Sequence, residues 1–288
     1  MTAVGSKSGI IVLFLVLFLL YMSVVAAHEE EIEAPDTPYH NAVEDKAMKL
    51  KDSALRTIMI SSIISALFLT GAFTYYKKKK RKEGVWRVFF AGVTIPLLVA
   101  TVYTTGVTVY VNTHSATHGP VHWHADFELW KCGEKIDLKE PEGLSNRIGS
   151  SLLHEHGDNR IHIEGVVSDT DDVALHHFFD FIGGRLTSTE MVVPTTQGNV
   201  KIVNKDLCDG HEGKLQAFVY RVINPLNNGK WLYTQQKIED FTNHIIAPYS
   251  TVPPGDCIII DFDGEKEKTE HLCSSYRQAT ERGELRGS

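Results

Sequence analysis

Three uninterrupted apolar runs crowd the first 111 residues, and a basic run, KKKKRK at 77–82, separates the second from the third. The runs are GIIVLFLVLFLLYMSVVAA at 9–27, Thr57 to Tyr76, and Val88 to Val111, where Pro96 predicts a kink. Each is close to the roughly 20 residues an α-helix needs to cross a bilayer. Basic loops stay on the cytoplasmic side, so the run at 77–82 places residues 28–56 and everything after 112 outside. Tyr75, Tyr76 and Trp86 stand where an interfacial aromatic belt is expected. Residues 1–27 read as a signal peptide or as a first transmembrane anchor, with the same topology either way. Ser62 and Ala66 give the second run a small-xxx-small face suited to pairing with the third, or else simply face lipid.

The expected location is therefore the cell membrane, with lipid and other subunits of a membrane complex as partners. A net charge of −7 gives no attraction to nucleic acid. All 14 histidines and all four cysteines fall in the segments assigned to the outside. An even number of cysteines in an exported domain points to disulfides, here two among Cys132, Cys208, Cys257 and Cys273, with three pairings open. No CxxC or Cys–His spacing suggests a thiolate zinc or redox site.

The chain divides into residues 1–27, an external loop at 28–56, a helical hairpin at 57–111 with its cytoplasmic loop at 77–87, a histidine-rich domain at 112–263, and a polar tail at 264–288. The tail reads as a surface helix or a disordered segment, tethered by Cys273. In the domain, strands are expected at 121–130, 135–138, 161–166, 190–194, 199–203, 215–223, 230–234 and 257–262. NNG at 227–229 reads as a hairpin turn. One helix over VALHHFFDFI is capped by Asp171 or Asp172 and ended by Gly183-Gly184, and a weaker helix covers KIEDFTNHII. The fold class is α+β and mainly β: a β-grasp-like sheet crossed by one helix, or alternatively a cupin-like barrel.

The stretch VHWHADFELW alternates almost perfectly, which puts His122, His124, Asp126 and Glu128 on one strand face. A second cluster, LLHEHGDNRIHIEG, carries His154 and His156, and then His162 and Glu164 on a strand. Its Gly-Asp-Asn turn can fold the pair back beside His162. An H-x-H pair on a strand aims two nitrogen donors at one point, and neutral imidazole suits zinc and copper. We therefore expect His122, His124, His154, His156 and His162 to bind one divalent ion, Cu or Zn. Asp126, Glu128, Asp158 and Glu164 would complete or orient that set. Glu128 and Glu164 are also the acid/base candidates if the site is catalytic. Were the chain cleaved after Ala27, His28 would become an amino-terminal histidine able to chelate copper.

The segments HWHADFELWKCGEKIDL, HEHGDNRIHIEG, FFDF and PPGDCIIIDF resemble a group of exported, membrane-anchored prokaryotic proteins of unassigned activity. The resemblance covers about 118–262 and implies a common fold and a histidine site. HWHADFE also resembles the first metal motif of the cupins, H-x-H-x3-E, and PPGD at 253–256 is similar to the turn of their second. That second motif then needs His and Asn, where this chain has CIIIDF. Three functions are compatible with the sequence: a membrane-anchored metal-binding module, an extracytoplasmic metalloenzyme (a metal-water hydrolase or a copper oxidase), and a partner-binding ectodomain without metal.

Overall fold

The structure, a computed structural model, describes residues 42–78, 82–142, 146–227, 230–246 and 255–288. The first apolar run, His28, the end of the NNG turn and the two prolines of PPGD lie outside them. Two long helices come first, α1 (Ala42–Tyr76) and α2 (Glu83–His114). Both are long and apolar enough to cross a membrane. The protein itself does not bury them: Leu67, Leu69, Phe90 and Val102 are all more than half exposed. The threonines in these helices mask their hydroxyls on carbonyls one turn back, as Thr70 does on Ala66 and Thr104 on Ala100. Residues 42–56, the helix-compatible end of the expected external loop, are helical and continue α1 without a break, because AVEDKAMKLKDSALRT contains neither Gly nor Pro to stop it.

The helices pair closely, though one residue away from the expected face. Ser61 and Ser65 are buried in place of Ser62 and Ala66. The Ser65 hydroxyl reaches the Val93 carbonyl of α2 at 3.3 Å, one turn before Pro96. Gly92 lets the Phe68 ring lie where a Cβ would collide with it. At the basic end Tyr75, Tyr76, Trp86 and Phe89 pack edge to face.

The chain then builds one mixed sheet. In sequence order its strands are β1 (Pro120–Lys131), β2 (Glu134–Ile136), β3 (Ile148–Gly149), β4 (Leu153–Glu155), β5 (Arg160–Val166), β11 (Lys214–Val222), β12 (Trp231–Ile238), β13 (Cys257–Asp263) and β14 (Leu285–Gly287). Spatially the order is β14-β12-β11-β13-β1-β5-β4-β3, with β2 beside β1, so the sheet is open with an edge at each end. It is not a closed barrel. A three-stranded sheet of β6 (Arg185–Leu186), β7 (Glu190–Thr195) and β8 (Gly198–Val203) and a short ribbon of β9 (Leu207–Cys208) and β10 (His211–Glu212) complete the β structure.

One face of the large sheet is the main core. Ala125, Phe127 and Leu129 of β1, Ile161 and Ile163 of β5, and Ile258 and Ile260 of β13 meet Phe178 and Phe179 of α3 (Leu175–Phe181). A 3-10 turn at Thr170–Val173 leads into α3. The turn is capped by Asp169 rather than by Asp171 or Asp172, with the Asp172 side chain reaching back to the Asp169 N–H. Gly183, at φ 83°, ends the helix. The helix expected over KIEDFTNHII does not form. Its first residues finish β12, where Lys237 and Ile238 pair with Phe218 and Ala217, and turns follow.

The opposite face carries a second core of Phe218, Tyr220, Cys257 and Ile259 under Tyr276 and Ala279 of α4 (Ser274–Glu281). The tail is therefore part of the fold. Its helix covers this face, and β14 pairs parallel with β12. Two disulfides join Cys132 to Cys208 and Cys257 to Cys273, the second tying α4 to β13. Closing a loop of this size contributes about 3 kcal/mol in the chain-entropy account. We expect Cys257→Ala/Cys273→Ala to lower unfolding free energy in urea by that order. Trypsin should then cut first at Lys266, Lys268 or Arg277.

Candidate metal centre

The second face of the sheet divides along β1. Register sets His122 opposite Glu164, His124 opposite His162, and Asp126 opposite Arg160. On the next strand His154 lies opposite His162. Because side chains of directly opposed residues share a face, His124, His162 and His154 form a row across three strands. The partner residues of the alternation, Trp123, Ile163 and Leu153, are committed to the main core. A shift of one residue would bury the imidazoles and expose the core.

The turn between β4 and β5 brings in the fifth histidine, His156. Gly157 and Asn159 both take positive φ, 82° and 57°. At Gly157 a Cβ would run into the Glu140 carboxylate. Glu155 lies buried beneath the turn and accepts the Asn159 N–H at 3.0 Å, while burial raises its pKa. This aligns His156 beside His154 and His162, with ring centroids 4.8 and 4.7 Å away.

The five histidines form two triads that share one member. One ring nitrogen from each of His122, His124 and His162 lies within 4.8 Å of the others, and the same holds for His154, His156 and His162. Nitrogens bound about 2.0–2.1 Å from a tetrahedral ion stand about 3.3 Å apart, so small side-chain rotations would close either set. The Nε2 atoms of His122 and His124 are 2.9 Å apart. Among the described residues no other histidine joins these groups. His114 stacks on Tyr110, His176 bonds the Thr242 carbonyl, and His211 pairs with Asp263.

The second triad is held from behind. His156 Nδ1 donates to the Asn146 carbonyl at 2.6 Å, leaving Nε2 with its lone pair. His162 Nε2 faces Asp158 at 3.3 Å, and His154 Nε2 faces Glu164 at 3.9 Å. The Nδ1 atoms of both His154 and His162 are buried without a hydrogen-bond partner. Burial, only partly opposed by Glu164, lowers the His154 pKa to about 4, so its ring is neutral at physiological pH. A buried neutral nitrogen without a partner costs about 1–3 kcal/mol. A metal ion is a partner that would remove that cost.

Of the four expected carboxylates, Asp158 and Glu164 are at the cluster. Glu164 Oε1 also sits 2.9 Å from His122 Nε2. Asp126 and Glu128 are on the same face but are engaged elsewhere. Asp126 bonds Arg160 at 2.8 Å, and Glu128 accepts from the Trp130 indole at 3.1 Å and faces Lys135. Both are buried toward the α4 end of the strand, where a carboxylate needs a fixed donor. Burial raises the Asp126 pKa, and Arg160 opposes it. The sequence reading missed Glu155 and Asn146. A glutamate on the apolar side of the alternation in H-E-H was the available signal for the first. The second acts through its backbone and left none. The chain matches no protein-family model, no curated protein and no solved structure.

Arg160→Met strands the buried Asp126 carboxylate, and we expect a loss of about 2 kcal/mol, modest for a buried pair because Arg160 is part exposed. The substitution moves the already raised Asp126 pKa further up, so the folded state binds the extra proton. The deficit in urea unfolding should therefore shrink as pH falls from 7 toward 4.

Proposed function

We propose that the chain is a membrane-anchored protein whose extracytoplasmic domain binds copper or zinc through its paired H-x-H motifs. The observation that carries this reading is the His154, His156 and His162 set. Each of these rings has one nitrogen turned to a carbonyl or carboxylate, while a second nitrogen is left for a ligand. Metal-binding histidines are oriented in this way, with the far N–H given to an acceptor that fixes the tautomer. Nitrogen and oxygen donors without thiolate suit Cu²⁺ or Zn²⁺. Both cysteine pairs are in disulfides, which fits an oxidising compartment. The exposed apolar surface of α1 and α2 fits lipid, and the basic residues Lys77, Lys78 and Lys82 between them fit a cytoplasmic loop.

A second reading, a metalloenzyme, is favoured by Glu164. Three imidazoles leave a coordination position for water, and this carboxylate, next to His122 and His154, is placed to take its proton. A partner-binding ectodomain without metal is the third outcome that the same experiment separates.

Full-length protein from an oxidising compartment, purified in detergent, should carry bound copper or zinc by elemental analysis. His154→Ala/His162→Ala should abolish it. Asp158→Ala, which removes the acceptor behind His162, should weaken binding by about 10–100-fold. Wild-type protein that takes up neither metal sinks the proposal. Alkaline carbonate should leave the chain in the membrane pellet, and its release would refute the anchoring.

A further inference from the structure

We propose that the two triads are successive seats for one metal ion, captured on His122 and His124 and passed to His154 and His156 while His162 stays bound. This rests on the metal-binding reading above. The triads have His162 in common, and their other four members do not mix within ligand distance. They also differ in access. The His122 side chain is 61% exposed, His162 11% and His154 1%, so an ion arriving from solvent meets the His122 seat first.

The step between seats is short. His124 and His154 flank His162 on adjacent strands, with ring centroids 4.7 and 5.5 Å from it, about one strand spacing. The Glu164 carboxylate spans both seats, with Oε1 at 2.9 Å from His122 Nε2 and Oε2 at 3.9 Å from His154 Nε2, and offers the same negative charge to the cation in either seat. Two metal–nitrogen bonds break and two form. No electron moves, and the charge of the site is unchanged. The seats cannot both be full unless His162 binds through both nitrogens. Its Nε2 faces Asp158 at 3.3 Å, and a proton held there leaves one lone pair for one ion.

Copper(II) added to the full chain in detergent tests this by stopped-flow tryptophan quenching and electron paramagnetic resonance. Wild type should take up one equivalent in a fast phase that rises with copper concentration and a slower phase that does not. His122→Ala/His124→Ala should lose the fast phase yet reach the same stoichiometry and the same spectrum. His154→Ala/His156→Ala should keep the fast phase, lose the slow one, and surrender copper to EDTA about tenfold faster or more. Circular dichroism and intact disulfides establish that each variant is folded. Two equivalents with an exchange-coupled spectrum would overturn the relay in favour of a bridged pair. Unchanged kinetics in His122→Ala/His124→Ala would overturn it as well. Uptake of neither copper nor zinc by wild type is a different result, and it removes the metal-binding reading itself.

Discussion

β1 is held between two filled faces, and the rest of the domain is arranged by that double commitment. Its odd residues, Ala125, Phe127 and Leu129, are sealed under α3, while its even residues meet the histidine cluster at one end and α4 at the other. A strand has a side-chain period of two, so no intermediate register exists that satisfies both faces. β5 and β13 lie on either side of β1, the first antiparallel along its start and the second parallel along its end. The imidazole row is thus set by the burial of Trp123, Ile163 and Leu153 on the other side of the same strands.

The even-numbered face is chemically split. From Asp126 onward it is closed by the tail, and the buried carboxylates there have cationic partners: Asp126 with Arg160, Asp256 with Arg221, and Asp261 with Lys266. The Tyr276 hydroxyl bonds the carbonyls of Tyr220 and Gly255. This is the pattern of a satisfied interior, in which every charge removed from water is given a counter-ion. At His122, His124, His154, His156 and His162 the pattern changes. Basic nitrogens face one another, and two buried Nδ1 atoms have no hydrogen-bond partner.

Much of this was legible in the sequence because it is local. Alternation in VHWHADFELW and IHIE identified both faces of β1 and β5, and the Gly-Asp-Asn turn placed His154 and His156 beside His162. The apolar runs marked the paired helices. Features that depend on long-range docking were not legible. Nothing in AVEDKAMKLKDSALRT distinguishes a helix that ends from one that runs on into a span. Helix phase, not composition, decides that Ser61 and Ser65 face α2 in place of Ser62 and Ala66. The tail is polar in sequence, yet Tyr276 and Ala279 fall one helical turn apart and bury completely, and the Cys273 bridge holds them there. Asp126 and Glu128 share the histidine face by period, but only the tertiary positions of Arg160, Lys135 and α4 reveal that they serve the other half of it.

The site also lies at the helical end of the domain. Five residues separate His114, the last of α2, from the start of β1, and Val166, paired with Pro120, packs on Ala54, Val107 and Val111 of the two helices. The backbone is locked at the same junction, where the Ala116 N–H bonds the Ser168 carbonyl and the Val167 N–H bonds the Thr117 hydroxyl. Glu164 is two residues from Val166 on the same strand, so the carboxylate beside His122 and the residue that docks on the helices share one rigid segment.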